Sequence, residues 1–77
     1  MTKAEHNKIL EELLVQVPLA NVRDDVILMS QMMAADFQIQ LMQKLVTRLS
    51  PRHQAYQGLQ AQVEKAAANF KQGRYLA

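Results

Sequence analysis

Apolar residues recur along the chain at intervals of three and four, the spacing that places side chains on one face of an α-helix. Ile9, Leu10, Leu13, Leu14 and Val17 form the first such stripe, and Tyr56, Leu59, Val63, Ala66 and Phe70 form the last. Between them, a wheel at about 100° per residue sorts the apolar positions of the middle segment into two stripes. Val22, Val26, Met29, Met33, Phe37 and Leu41 make one; Leu28, Met32, Ala35, Ile39, Met42, Val46 and Leu49 make the other. Asp25, Asp36, Gln43 and Thr47 separate the stripes on one flank, and Arg23, Ser30 and Arg48 on the other.

Capping residues and helix breakers give these stripes their boundaries. Thr2-Lys3-Ala4-Glu5 has the form of a capping box, which starts the first helix. Pro18 biases Val17 away from helical dihedrals, so that helix ends near Gln16. Asn21 is an N-cap candidate for the second helix, and Asp24 and Asp25 fall in its first turn, where the helix dipole favours negative charge. No glycine or proline interrupts the chain from there to Leu49. A continuous helix over that span would be roughly 40 Å long. Ser50-Pro51 reads as the N-cap and first position of a third helix, and Gly73 as its C-terminal cap, followed by a short tail. Gly58 lies inside that third helix; it is either a tolerated cost or a point of close approach for another helix. The expectation is therefore an all-α fold in one domain over 1–77. It has three helices, over about 3–16, 22–49 and 51–72, arranged as a short N-terminal helix plus a long antiparallel helical hairpin with coiled-coil-like packing.

Composition narrows what such a fold is for. At 77 residues the chain is at the small end for a self-sufficient core, and with no cysteine it has no disulfide to compensate. A content of 49% hydrophobic residues is that of a globular chain. No apolar run is long enough to span a membrane. The amino end lacks the apolar core of a signal peptide, so the expected location is the cytoplasm. The net charge is +2, with basic residues scattered. Lys44, Arg48 and Arg52 align only if a helix runs through Pro51, so nucleic acid is disfavoured as a partner.

Catalytic chemistry has little to build on. His6 stands beside Glu5 and Asn7, and His53 beside Arg52 and Gln54, neither with a second ligand at helical spacing for a metal. Asp24 and Asp25 are accounted for as capping charges, and Glu11-Glu12 as a solvated edge. Ser30 and Ser50 lack a neighbouring base and a glycine-rich oxyanion turn, and two isolated glycines cannot cradle a phosphate. The reading is a protein without catalytic, cofactor or metal sites.

The two-faced middle helix carries the functional expectation. Its neighbours offer one narrow seam each; either they cover both stripes in a plain bundle, or one stripe stays open for a partner. Four of the five methionines, Met29, Met32, Met33 and Met42, lie on it, and methionine suits surfaces that adapt to another protein. The candidate contact residues are Met29, Met33, Phe37 and Leu41 from the first stripe and Met32, Ile39 and Met42 from the second, with Tyr56, Leu59 and Val63 from the third helix. The partner is another protein docked on an apolar helix face, or a second copy in an oligomer.

The stretch Leu49-Ser50-Pro51-Arg52-His53-Gln54-Ala55-Tyr56-Gln57-Gly58-Leu59, followed by Ala66-Ala67-Ala68, resembles the small co-chaperones of bacterial type III secretion needle subunits. Tyr56-Gln57 stands where that family has a tyrosine–glutamine pair, and Leu10, Leu13 and Leu14 match its leucine-rich N-terminal helix. The resemblance implies a helical hairpin that docks on a tetratricopeptide-like chaperone to keep a needle subunit unpolymerised in the cytoplasm. It also implies that Tyr56, Leu59 and Val63 pack the hairpin or meet that second chaperone. Two other expectations stand beside it: a homodimeric regulator binding nucleic acid through Lys44, Arg48 and Arg52, and a small inhibitor that docks on a host protein.

Overall fold

The first helix begins where its capping box places it. In the computed structural model, which describes residues 1–17 and 23–76, the Glu5 amide donates to Thr2 Oγ1 at 3.2 Å and the Thr2 amide donates to Glu5 Oε1 at 3.1 Å. Those two bonds satisfy donors that a helix start leaves open. They also hold the Glu5 carboxyl below its usual range, the Thr2 amide being the larger cause and the Thr2 hydroxyl the next. This helix, α1 (Lys3–Gln16), stops at an extended Val17 whose amide still reaches the Leu13 carbonyl. The expectations placed on Pro18, Asn21 and Val22 lie outside the described residues.

All-α is the class the structure shows, with four helices among the described residues where three were expected: α1, α2 (Arg23–Gln31), α3 (Ala35–Arg48) and α4 (Tyr56–Lys71). The long middle helix is divided. Residues 31–34 contain no breaker, so the division comes from tertiary bonds. The Ser30 hydroxyl donates to the Ile27 carbonyl at 2.7 Å. A back-bond of this kind bends helices. Gln38 Nε2 donates to the Ser30 carbonyl at 3.0 Å, occupying the acceptor that a continuing helix would offer to Ala34, and to Asn7 Oδ1 at 2.9 Å. Gln31 donates to the Glu11 carboxylate, a second tie to α1. Ala34 is extended at φ −65, ψ 156 and opens α3 without a side-chain cap. The molecule's longest extent is 33 Å. An unbroken helix of roughly 40 Å would overrun it.

The third expected helix also starts later than Pro51. Ser50 does act as a local cap, its hydroxyl accepting from the Arg52 amide at 3.2 Å, and its carbonyl accepts from the His53 amide at 2.9 Å. His53 Nδ1 then accepts from the Ala55 amide at 3.1 Å, which ends that turn and delays helix α4 to Tyr56. At the far end the Gly73 amide binds the Phe70 carbonyl and the Arg74 amide binds the Asn69 carbonyl, a Schellman cap with Gly73 at φ 73. Gly58 has open space where a Cβ would go, so no helix approaches it closely.

Helix α1 is not a peripheral arm: like α3, it contacts each of the other three helices. Leu10, Leu13 and Leu14 are completely buried, and with Ile9 and Val17 they meet Met42, Leu45, Val46 and Leu49 of α3 and its end, and Leu59, Val63 and Ala66 of α4. Helix α2 lies over this core more loosely, with Val26 and Ile27 partly buried against it. The tail expected after Gly73 is not free. Thr2 and Leu76 form a parallel bridge in which the Lys3 amide donates to the Leu76 carbonyl at 3.0 Å and the Leu76 amide donates to the Met1 carbonyl at 2.8 Å. The Met1 amino group adds a bond to the Arg74 carbonyl at 2.7 Å.

Candidate protein-binding surface

The division at 32–34 decides which apolar residues stay outside. Leu28, Met29 and Met32 project from the end of α2 and the turn after it, 61%, 67% and 77% exposed, and Phe37 projects from the first turn of α3 at 54%. Four large apolar side chains thus stand open within residues 28–37, on both sides of the elbow. Exposing so many in so short a stretch is unusual for a surface without a partner, because each leaves apolar area in water worth about 25 cal/mol per Å² if covered. Beneath them the elbow is anchored by Gln38, which has no solvent exposure and binds Asn7 of α1 and Ser30 of α2 together. The patch therefore sits on a fixed support.

The ten contact residues expected from sequence divide into three groups. Met29, Met32 and Phe37 are exposed, as a contact surface requires. Met33, Leu41 and Tyr56 are partly buried, with Leu41 and Tyr56 packed against the core. Ile39, Met42, Leu59 and Val63 are buried at 7%, 0%, 4% and 3% exposure and belong to the core. The two stripes do not remain intact either: Leu28 and Met32 of the second stripe are open, whereas Ile39, Met42, Val46 and Leu49 of the same stripe are buried, the last three in the core that α3 shares with α1 and α4. Leu28 belongs to the surface and was not among the expected contacts; its place four residues before Met32 was the available signal. Gln38, which the pattern offered no reason to single out, is what holds the patch in position.

An apolar groove runs between α3 and α4, lined by Val46, Val63 and Ala67 with Gln43, Thr47, Gln60 and Glu64. The basic trio expected for nucleic acid does not align: α3 ends at Arg48, Leu49 is extended, and Arg52 lies in the following turn. No described helix is long and apolar enough to cross a membrane. Comparison with protein-family models, with curated proteins and with solved structures found no match to this chain.

Proposed function

We propose that this chain is a non-enzymatic protein–protein interaction module whose contact surface is the elbow between α2 and α3. The observation that carries the reading is the exposure of Leu28, Met29, Met32 and Phe37 above a hydrogen-bonded support. A partner groove covering these side chains gains their desolvation, and the two methionines adjust to its shape at small cost in strain. The rigid support lowers the ordering cost that a loose loop would carry into the complex. The finer form of the proposal is a cytoplasmic co-chaperone or adaptor for a type III secretion component, supported by the helical fold and the Tyr56-Gln57 segment. In that form the contact lies at the elbow, and Tyr56, Leu59 and Val63 take the packing role, Leu59 and Val63 within the core and Tyr56 against it.

The test is a variant carrying Met29→Gln, Met32→Gln and Phe37→Gln. Its helicity and urea midpoint should match the parent's, since exposed substitutions generally change stability by about 0.5 kcal/mol or less each. Sedimentation over a concentration series should show association in the parent, alone or with a co-expressed chaperone and needle-subunit pair, and its loss in the variant. A parent that stays monomeric in both settings, and binds an apolar fluorescent probe no better than the variant does, would refute the proposal.

A further inference from the structure

His6 is completely buried near the start of α1, and neither of its ring nitrogens has a hydrogen-bond partner. Such a side chain is an exception among buried polar groups and calls for a physical account. Two covers keep water from it. Gln38 of α3 reaches it from the elbow, and Gln38 Oε1 is likewise buried without a partner. Tyr75 of the tail lies against it with ring centroids 4.7 Å apart at 46°, and Phe70 of α4 meets Tyr75 edge-on at 5.9 Å. The covers differ in how firmly they are held. Gln38 is fixed by buried and part-buried bonds inside the core, while the tail is held by the Thr2–Leu76 bridge and the exposed bond from the Met1 amino group to the Arg74 carbonyl.

A neutral imidazole tolerates this site because one ring N–H is all it must place. An imidazolium carries two donors and a full charge, and Gln38 Oε1 is the acceptor that the structure brings near it. We propose that His6 is a pH-sensitive latch under the C-terminal tail: on taking up a proton it reaches water by displacing Tyr75, which releases Arg74–Leu76 from the Met1–Lys3 segment while the helical core stays folded. The groups acting on the ring set the direction. Burial is the largest and disfavours the proton, Gln38 favours it, the Met1 amino group opposes it and Glu5 on the same helix favours it; together they hold His6 below its ordinary value of 6.5. The Phe70 ring of α4, which meets Tyr75, brings no charge. The closed form is therefore fully favoured above pH 6.5. Below it the open form gains protons first, and its share rises about tenfold per pH unit until the closed form also protonates.

The experiment is nuclear magnetic resonance on the full chain from about pH 7.5 to about pH 5, a range spanning the ordinary imidazole titration, following the His6 ring shift and the backbone order of Tyr75 and Leu76 beside that of Leu10 and Leu13. The expected result is that the tail loses order with the same midpoint as the His6 titration, below the ordinary imidazole value, while Leu10 and Leu13 stay ordered. His6→Phe should make tail order independent of pH. Tyr75→Ala should free the tail already at the neutral end of the range and move the His6 titration up towards its ordinary value, which keeps the proposal testable if the phenylalanine variant does not fold. The latch is overturned if His6 titrates without any loss of tail order, if Leu10 and Leu13 lose order together with the tail, or if His6 titrates identically in Tyr75→Ala.

Discussion

Met32 and Met42 share one apolar stripe on a helical wheel, yet the elbow leaves Met32 77% exposed and Met42 0% exposed. Replacing each by alanine in turn separates the two arrangements. Met42 lies in the cluster formed by α1, α3 and α4. Truncation there removes its transfer free energy and leaves a cavity, at a cost of about 2–5 kcal/mol for methionine to alanine. A domain of this length has a total stability of only about 4–12 kcal/mol, so Met42→Ala should remove from about a sixth to all of it. Each kcal/mol moves the melting temperature of so small a domain by about 4–8 °C. Met32 sits in the turn after α2 with most of its surface in water. Met32→Ala should therefore stay within about 0.5 kcal/mol of the parent. Urea unfolding followed by far-ultraviolet circular dichroism measures both, with the denaturant slope confirming that the unfolded reference is unchanged. Equal losses in the two variants, or a loss above about 1 kcal/mol for Met32→Ala, would refute the elbow and restore a continuous two-faced helix.

Two glycines give a contrasting pair. Gly58 lies in the first turn of α4 with open space where a Cβ would go, whereas Gly73 holds a φ of 73. Gly58→Ala should raise stability by about 0.5–1 kcal/mol. Gly73→Ala should lower it by about 1–2 kcal/mol, and thermal melts of both variants check the signs. Thr2→Ala removes the hydroxyl that accepts from the Glu5 amide. Its loss should lower stability by about 1 kcal/mol. The Glu5 carboxyl, held low by its bonds to Thr2, contributes stability that is present above its ordinary value of 4.5 and is lost as the pH falls through its lower folded value. The difference between Thr2→Ala and the parent should therefore shrink in acid, as stability curves at successive pH values would show.

The parts of the fold legible in the sequence are those set by local chemistry. The Thr2–Glu5 box, the buried face of α1 and the Gly73 cap all depend on residues a few positions apart, and all are found where the pattern places them. The elbow was not legible because Gln31-Met32-Met33-Ala34 favours a helix on propensity; what opposes it is a glutamine eight residues from Ser30 that binds its carbonyl. The turn at Ser50-Pro51 was half legible: its cap forms, but the ring nitrogen of His53 takes the Ala55 amide before a helix can propagate. Of the candidate surface, the methionine enrichment marked a segment in which Met29 and Met32 are exposed. Burial of Met42 depends on α1 lying across α3, a long-range fact that periodicity does not carry. His6 gave no signal, because Tyr75, which covers it, stands at the other end of the chain.

The bridge between Thr2 and Leu76 makes the backbone nearly a closed ring. A few linking residues could join the ends, and the exposed Pro51–Arg52 turn could be cut to make new ones, giving a permuted chain in which α4 is translated first and α1 follows it directly. The core contacts would be unchanged in such a permutant, but the sequence distance separating α1 from α4 would fall from much of the chain to a short linker. The order in which the helices find one another would then be open to engineering apart from the final structure.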